Sequence, residues 1–129
     1  MKLLMSIAVA AVAVAVNHAH AETPVGLWQS PPDSSGIVLH VRTRPCGQGI
    51  CGQVERVKNL RGYDAPSRAV GRVVLVDLVP SGDGSFSGQL REPYGDTAVQ
   101  ALMKVQGDVM QIHNCDGNTC RDVVWRRVR

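Results

Sequence analysis

Ile37–Lys58 reads IVLHVRTRPCGQGICGQVERVK. In its first half Ile37, Leu39 and Val41 fall on one face, and His40 and Arg42 on the other. A period of two is the mark of a half-buried strand, because successive side chains leave opposite faces of an extended backbone. The loop Cys46-Gly47-Gln48-Gly49-Ile50-Cys51 interrupts it, and Gly52–Lys58 returns as the partner strand. Glycine inside so short a connection is hairpin chemistry. The same spacing recurs near the other end of the chain, where Cys115-Asp116-Gly117-Asn118-Thr119-Cys120 lies between Val109–Asn114 and Arg121–Val128. Two cysteine hairpins therefore set the pattern of the fold.

The remaining segments follow it. Val25–Ser30, Val73–Val79, Phe86–Arg91 and Thr97–Val105 read as strands. Turn clusters separate them at Pro31–Gly36, Ser81–Gly84, Tyr94–Asp96 and Gln106–Asp108. No convincing amphipathic helix is visible. Short strands joined by hairpin turns predict an all-β domain, a single antiparallel meander of about eight strands that closes on itself. Closure into a barrel leaves no open edge for another chain to pair with. The one long connector, Asn59–Gly71, is read as a solvated crossing with room for a helical turn at Ser67–Val70.

Residues 1–21 are set apart. Lys2 precedes an apolar run from Leu3 to Val16, and Ala19-His20-Ala21 ends in a small-x-small site. That is the form of a secretory signal peptide, and its apolar run is shorter than the ~20 residues a membrane span needs. The expected domain is then Glu22–Arg129, 108 residues. It carries 13 basic residues, the 14 of the chain less Lys2, against 11 acidic ones. The basic residues are scattered and only five aromatics exist, which argues against a nucleic-acid surface. No later apolar run is long enough to cross a membrane.

Four cysteines allow three pairings. An exported chain meets an oxidising compartment, and hairpin neighbours have the Cβ separation a disulfide needs. Cys46–Cys51 and Cys115–Cys120 are the expected bridges. A zinc reading would use the same two C-x4-C pairs with His113, at a spacing wider than the usual knuckle. Redox catalysis would want a C-x-x-C at a helix start. No metal or cofactor is assigned. Gly47, Gly49 and Gly52 match G-x-G-x-x-G by letter but lack the strand–helix frame that a dinucleotide requires.

Trp28 opens the domain, and Trp125-Arg126-Arg127 nearly closes it. A tryptophan plugging one end of a barrel needs a cover, and an arginine lying over its ring provides one. Trp28 and Arg127 are the expected barrel-end pair, with Arg126, on the opposite strand face, as the alternative. For catalysis we find no nucleophile elbow and no singled-out carboxylate pair among Glu55, Asp77, Glu92, Asp96 and Asp122. No catalytic residue is assigned.

Several blocks together resemble the DUF2147 family of small exported bacterial proteins. They are Gly26-x-Trp28, the run Pro45-Cys46-Gly47-x-Gly49-x-Cys51-Gly52, Gly82-Asp83-Gly84 before Phe86-Ser87-Gly88, Glu92-Pro93, and Cys120 followed by Trp125-x-Arg127. The likeness spans the whole predicted domain and implies a lipocalin-like barrel, in the broad group that also holds avidins. It brings no catalytic residues. The chain departs from the pattern in lacking a tryptophan near Arg56 and a tyrosine near Ala98, which thins the aromatic lining.

The expected function is a monomeric, periplasmic or secreted binding module for a small apolar or amphipathic molecule, with Val38 or Leu39, Leu75, Leu90, Met103 and Ile112 as lining. The alternative is an envelope protein-interaction or inhibitor module that presents the two cysteine loops and Asn59–Gly71. An enzyme ranks third.

Overall fold

The computed structural model describes residues 8–11 and 22–129, so the expected leader lies almost wholly outside the described residues. Eight strands form one closed antiparallel barrel in chain order: β1 Gly26–Gln29, β2 Val38–Cys46, β3 Gly49–Lys58, β4 Val73–Pro80, β5 Phe86–Arg91, β6 Ala98–Gln106, β7 Val109–Asp116 and β8 Thr119–Arg127. The seam is short. Only Trp28↔Arg127 and Gln29↔Arg126 register β1 against β8, reinforced by Val128 N–H donating to the Leu27 carbonyl. No helix occurs among the described residues, and the segment expected to hold a helical turn is a hydrogen-bonded turn instead.

Up-and-down order fixes which turns share an end. The N-terminal segment, the β2–β3, β4–β5 and β6–β7 turns and the C-terminus lie at one end. The β1–β2, β3–β4, β5–β6 and β7–β8 connections lie at the other. The two cysteine hairpins are therefore at opposite ends of the barrel. They do not form one surface with Asn59–Gly71, contrary to the expected interaction face.

Inward residues alternate as the strands dictate: Val41 and Thr43 on β2, Ala101, Met103 and Val105 on β6, Met110 and Ile112 on β7, Trp125 on β8. With Trp28, Val54, Leu75, Leu78 and Phe86 they fill the half of the barrel nearer the N-terminal segment. The strands break this alternation where the wall must bend. β4 carries an irregularity between Val76 and Val79, with Asp77 at φ 52°. The bend turns both Leu75 and Leu78 inward. It also brings β4 close to β5, where Gly88 sits: a Cβ there would lie 2.6 Å from Leu78 Cδ2 and 2.7 Å from the Val76 carbonyl oxygen. Glycine is required at Gly88 by close approach rather than by its backbone angle.

The connector Asn59–Gly71 is not a free crossing. Ala65 and Gly71 donate their N–H groups to the Val57 and Val54 carbonyls, and Val54 donates to Arg72. It continues the ladder along β3 where β4 has not yet begun, and it tucks Ala69 into the core. Unpaired backbone groups on β3 are costly where water is excluded, so the long loop is held down as wall.

Candidate functional site

At the filled end, the backbone of Glu22–Val25 crosses beneath Trp28. The Trp28 indole N–H donates to the Pro24 carbonyl at 2.8 Å, and the ring is wholly buried. Thr43 Oγ1, also buried, donates to the carbonyls of Pro24 and Gly26. Arg127 lies over the Trp28 ring, 4.3 Å from its centroid, and donates to the Val25 carbonyl at 2.9 Å. Longer contacts reach the carbonyls of Thr23 and Gly107. Arg127, not Arg126, is the partner, because Val123, Trp125 and Arg127 form the inward face of β8. Gly26 makes room: its φ is 146°, and a Cβ would sit 2.6 Å from Arg127 Nη1. This constellation seals the end. Trp28 lines no open space, so its role is structural.

The other end is open. A cavity of about 680 Å³ descends from the mouth. Its apolar wall is Leu39, Val74, Leu90, Val99 and Val123, with Trp125 among the lining. Asp33, Glu92, Asn114, Asp116, Thr119 and Arg121 give it polar side chains as well. The gradient follows from strand alternation. Inward positions of β7 and β8 near the filled end are Met110, Ile112 and Trp125, and those near the mouth are Asn114, Asp116, Thr119 and Arg121. Pockets of about 300–1,000 Å³ with apolar walls and a few polar groups suit one small ligand. A second groove, of about 470 Å³, runs outside the seam along Gln29–Pro32 and Asp122–Val124.

Of the residues expected to line the interior, Leu39 and Leu90 do so. Leu75, Met103 and Ile112 are instead packed into the filled half. Sequence reasoning missed Trp125, Val99, Val74 and Arg121. The signal for Trp125 was present: it shares a strand face with Arg127, one step further from the sealed end.

Both expected disulfides are formed, Cys46–Cys51 and Cys115–Cys120, and the described residues hold no free cysteine. The cysteines are not loop residues. The strands run through them into two-residue turns at Gly47-Gln48 and Gly117-Asn118. Cys115 and Cys120 face each other directly in the ladder, whereas Cys46 pairs with Gly49 and Cys51 with Arg44.

His40, on β2, donates its Nε2–H to Gln29 Oε1 at 3.0 Å. Partial burial, then the charges of Lys58 and Arg56, hold its pKa below the ordinary value. His113 is three strands away on β7, facing Asp122. Asp64, Asp83 and Asp108 are all held below the ordinary carboxylate value, by hydrogen bonds from Lys58, Ser85 and Arg129 respectively. Each lies in a connection between strands, outside the cavity lining.

No protein-family model matches the chain, and no curated protein does. Among solved structures it is similar to protein HP1028 from the human pathogen Helicobacter pylori, described as belonging to the lipocalin family. The two superpose with a TM-score of 0.63 at 15% identity, over 81% of this chain and 82% of that one. The barrel is lipocalin-like. At that identity the likeness concerns the fold, and the site must be argued from its own residues.

Proposed function

We propose that this protein is a non-catalytic binding module that holds one small apolar or amphipathic molecule in its open-ended cavity. The observation that carries the reading is the cavity itself: about 680 Å³, with an aliphatic wall and Trp125, beneath a mouth of mixed charge. An apolar body fits below and a polar group fits at the level of Asn114 and Arg121. A lipocalin-like neighbour supports a binding fold of this kind. We further propose that residues 1–21 are an export leader and that the domain acts in the periplasm or outside the cell as a monomer. Two disulfides support that compartment. A DUF2147-like identity is supported by the Pro45–Gly52 block and by the pairing of Trp28 with Arg127.

The test is to fill the cavity. Leu90→Trp places a large ring in the open space, where there is room for it. The fluorescent apolar anion 1-anilinonaphthalene-8-sulfonate is the probe. Its affinity is expected to fall at least about tenfold in the variant while the strand signal in circular dichroism holds. Equal binding by the parent and the variant would place the probe elsewhere and overturn the reading.

A second reading has its own observation. Leu60 and Tyr63 on the connector are 81% and 67% exposed. Nearby, Arg68 lies 5.9 Å from the Tyr94 ring, and Ser67 Oγ donates to the Tyr94 hydroxyl. Exposed apolar loop tips of this kind are the marks of a protein-contact surface. They border the mouth, so a partner seated on them would cover the cavity. Pull-down with a Leu60→Ser, Tyr63→Ser double variant as control separates this from ligand binding alone.

A further inference from the structure

The outer face of the β7–β8 hairpin carries a cluster that the cavity does not use. In the ladder Cys115 stands opposite Cys120, and two residues back along β7 His113 stands opposite Asp122. All four are exposed and share the outward face. Asp122 Oδ1 lies 2.6 Å from His113 Nδ1, and His113 Nε2 lies 3.6 Å from Cys115 Sγ. A carboxylate only accepts, so Nδ1 carries its proton toward Asp122 and Nε2 is left facing the sulfur. The other bridge has nothing comparable. Around Cys46–Cys51 the nearest outward charged pair is Arg42 with Glu55, and both cysteines are half-buried.

We propose that Cys115–Cys120 is a redox-active pair that exchanges with an external dithiol, that Cys115 is the sulfur released first, and that His113, aimed by Asp122, receives its charge. A thiolate of the dithiol attacks Cys120 Sγ. A bond forms between the two sulfurs as the Cys115–Cys120 bond breaks, and its electron pair leaves on Cys115 Sγ. His113 takes a proton from water at Nε2, so that the imidazolium, held at Nδ1 by Asp122, faces that sulfur and either pairs with the Cys115 thiolate or hands it this proton. The reductant's second thiol then attacks its own sulfur in the mixed disulfide and frees Cys120, which takes a proton from water. One disulfide becomes two thiols, and one dithiol becomes a disulfide. Exchange is faster when the leaving thiolate is stabilised, and a neighbouring imidazolium is an established way to stabilise it. His113 and Asp122 are here positioning and charge-receiving residues beside the reacting sulfur.

The test uses the intact protein with both bridges formed. It is treated with dithiothreitol for increasing times and quenched with iodoacetamide, and alkylated peptides are counted by mass spectrometry. Cys115 and Cys120 are expected to be labelled before Cys46 and Cys51. Exposure alone would give that order, so the decisive comparison is His113→Gln. It is expected to slow opening of Cys115–Cys120 about tenfold and to leave the Cys46–Cys51 rate in the same molecules unchanged. Asp122→Asn is expected to slow the same bridge by a smaller factor. An unchanged rate in His113→Gln, or equal slowing of both bridges, overturns the proposal. The parent protein gives an independent check with glutathione, a monothiol whose mixed disulfide is trapped by alkylating the freed thiol with iodoacetamide at early times. The adduct is expected on Cys120, and an adduct predominantly on Cys115 overturns the assignment of the leaving sulfur.

Discussion

At the scale of single residues, the sealed end rests on Trp28 and its cover. The ring is fully buried, its N–H is satisfied by the Pro24 carbonyl, and Arg127 adds a cation–π contact and a tie to Val25. Trp28→Ala is expected to lower unfolding stability by about 3–5 kcal/mol, as for other large buried rings. Urea denaturation followed by circular dichroism measures it, and a loss under about 1 kcal/mol would mean that the ring is not the plug described. The pairing of Trp28 with an arginine was legible in the sequence. The choice between Arg126 and Arg127 was not, because alternation sorts residues onto two faces without saying which face looks inward.

Among the elements, the β4–β5 corner is where sequence pattern and geometry diverge most. Val73–Val79 reads as an apolar strand around Asp77, yet the strand bends at that residue and forces β5 to meet it with a glycine. Gly88→Ala drives a methyl into Leu78 and the Val76 carbonyl and is expected to cost about 1–3 kcal/mol in thermal or urea unfolding. A neutral result would show that the wall yields there. The turn that closes the same corner is charged. Asp83 accepts from Ser85 N–H and Ser81 Oγ, each at 3.0 Å, and from Ser85 Oγ. These bonds, Ser85's first, lower its pKa from 3.8 to about 2. A depressed folded-state pKa means that the stabilisation is present above the unfolded value and is lost as pH falls through the folded one. The Asp83 contribution is therefore lost between about pH 4 and pH 2. Urea midpoints for Asp83→Asn are expected to fall less steeply than the parent's across that window. Parallel curves for the two proteins would refute the turn's role.

For the whole molecule, the consequence is an asymmetric barrel, filled and sealed at one end and open at the other. Binding to the folded state alone stabilises it by mass action. At a hundred times its Kd, the naphthalene probe is expected to raise unfolding stability by about 2.7 kcal/mol in the parent protein. At the same probe concentration a tenfold weaker Leu90→Trp variant is expected to gain no more than about half as much. A rise of the same size in both would deny that the cavity is where the probe sits. Strand count and parity also part the two cysteine hairpins: an even strand leads into the first and an odd strand into the second, so they close opposite ends. Eight strands were visible in the sequence, and this separation followed from them, although it emerged only once the barrel was seen closed.

The chain by itself determined the strands, the hairpin partners and the two local bridges, because each depends on residues within a few positions of one another. Period-two alternation, glycine turns and a four-residue spacing between cysteines are local chemistry, and local chemistry is written in order. The tertiary structure alone decided how deep the packed half reaches, that Trp125 lines the cavity while Met103 and Ile112 fill the core, and that Asn59–Gly71 serves as wall. Those outcomes depend on strand register and on the bend of the sheet at Asp77, which arise from packing between segments far apart in the chain, where no single stretch carries the information.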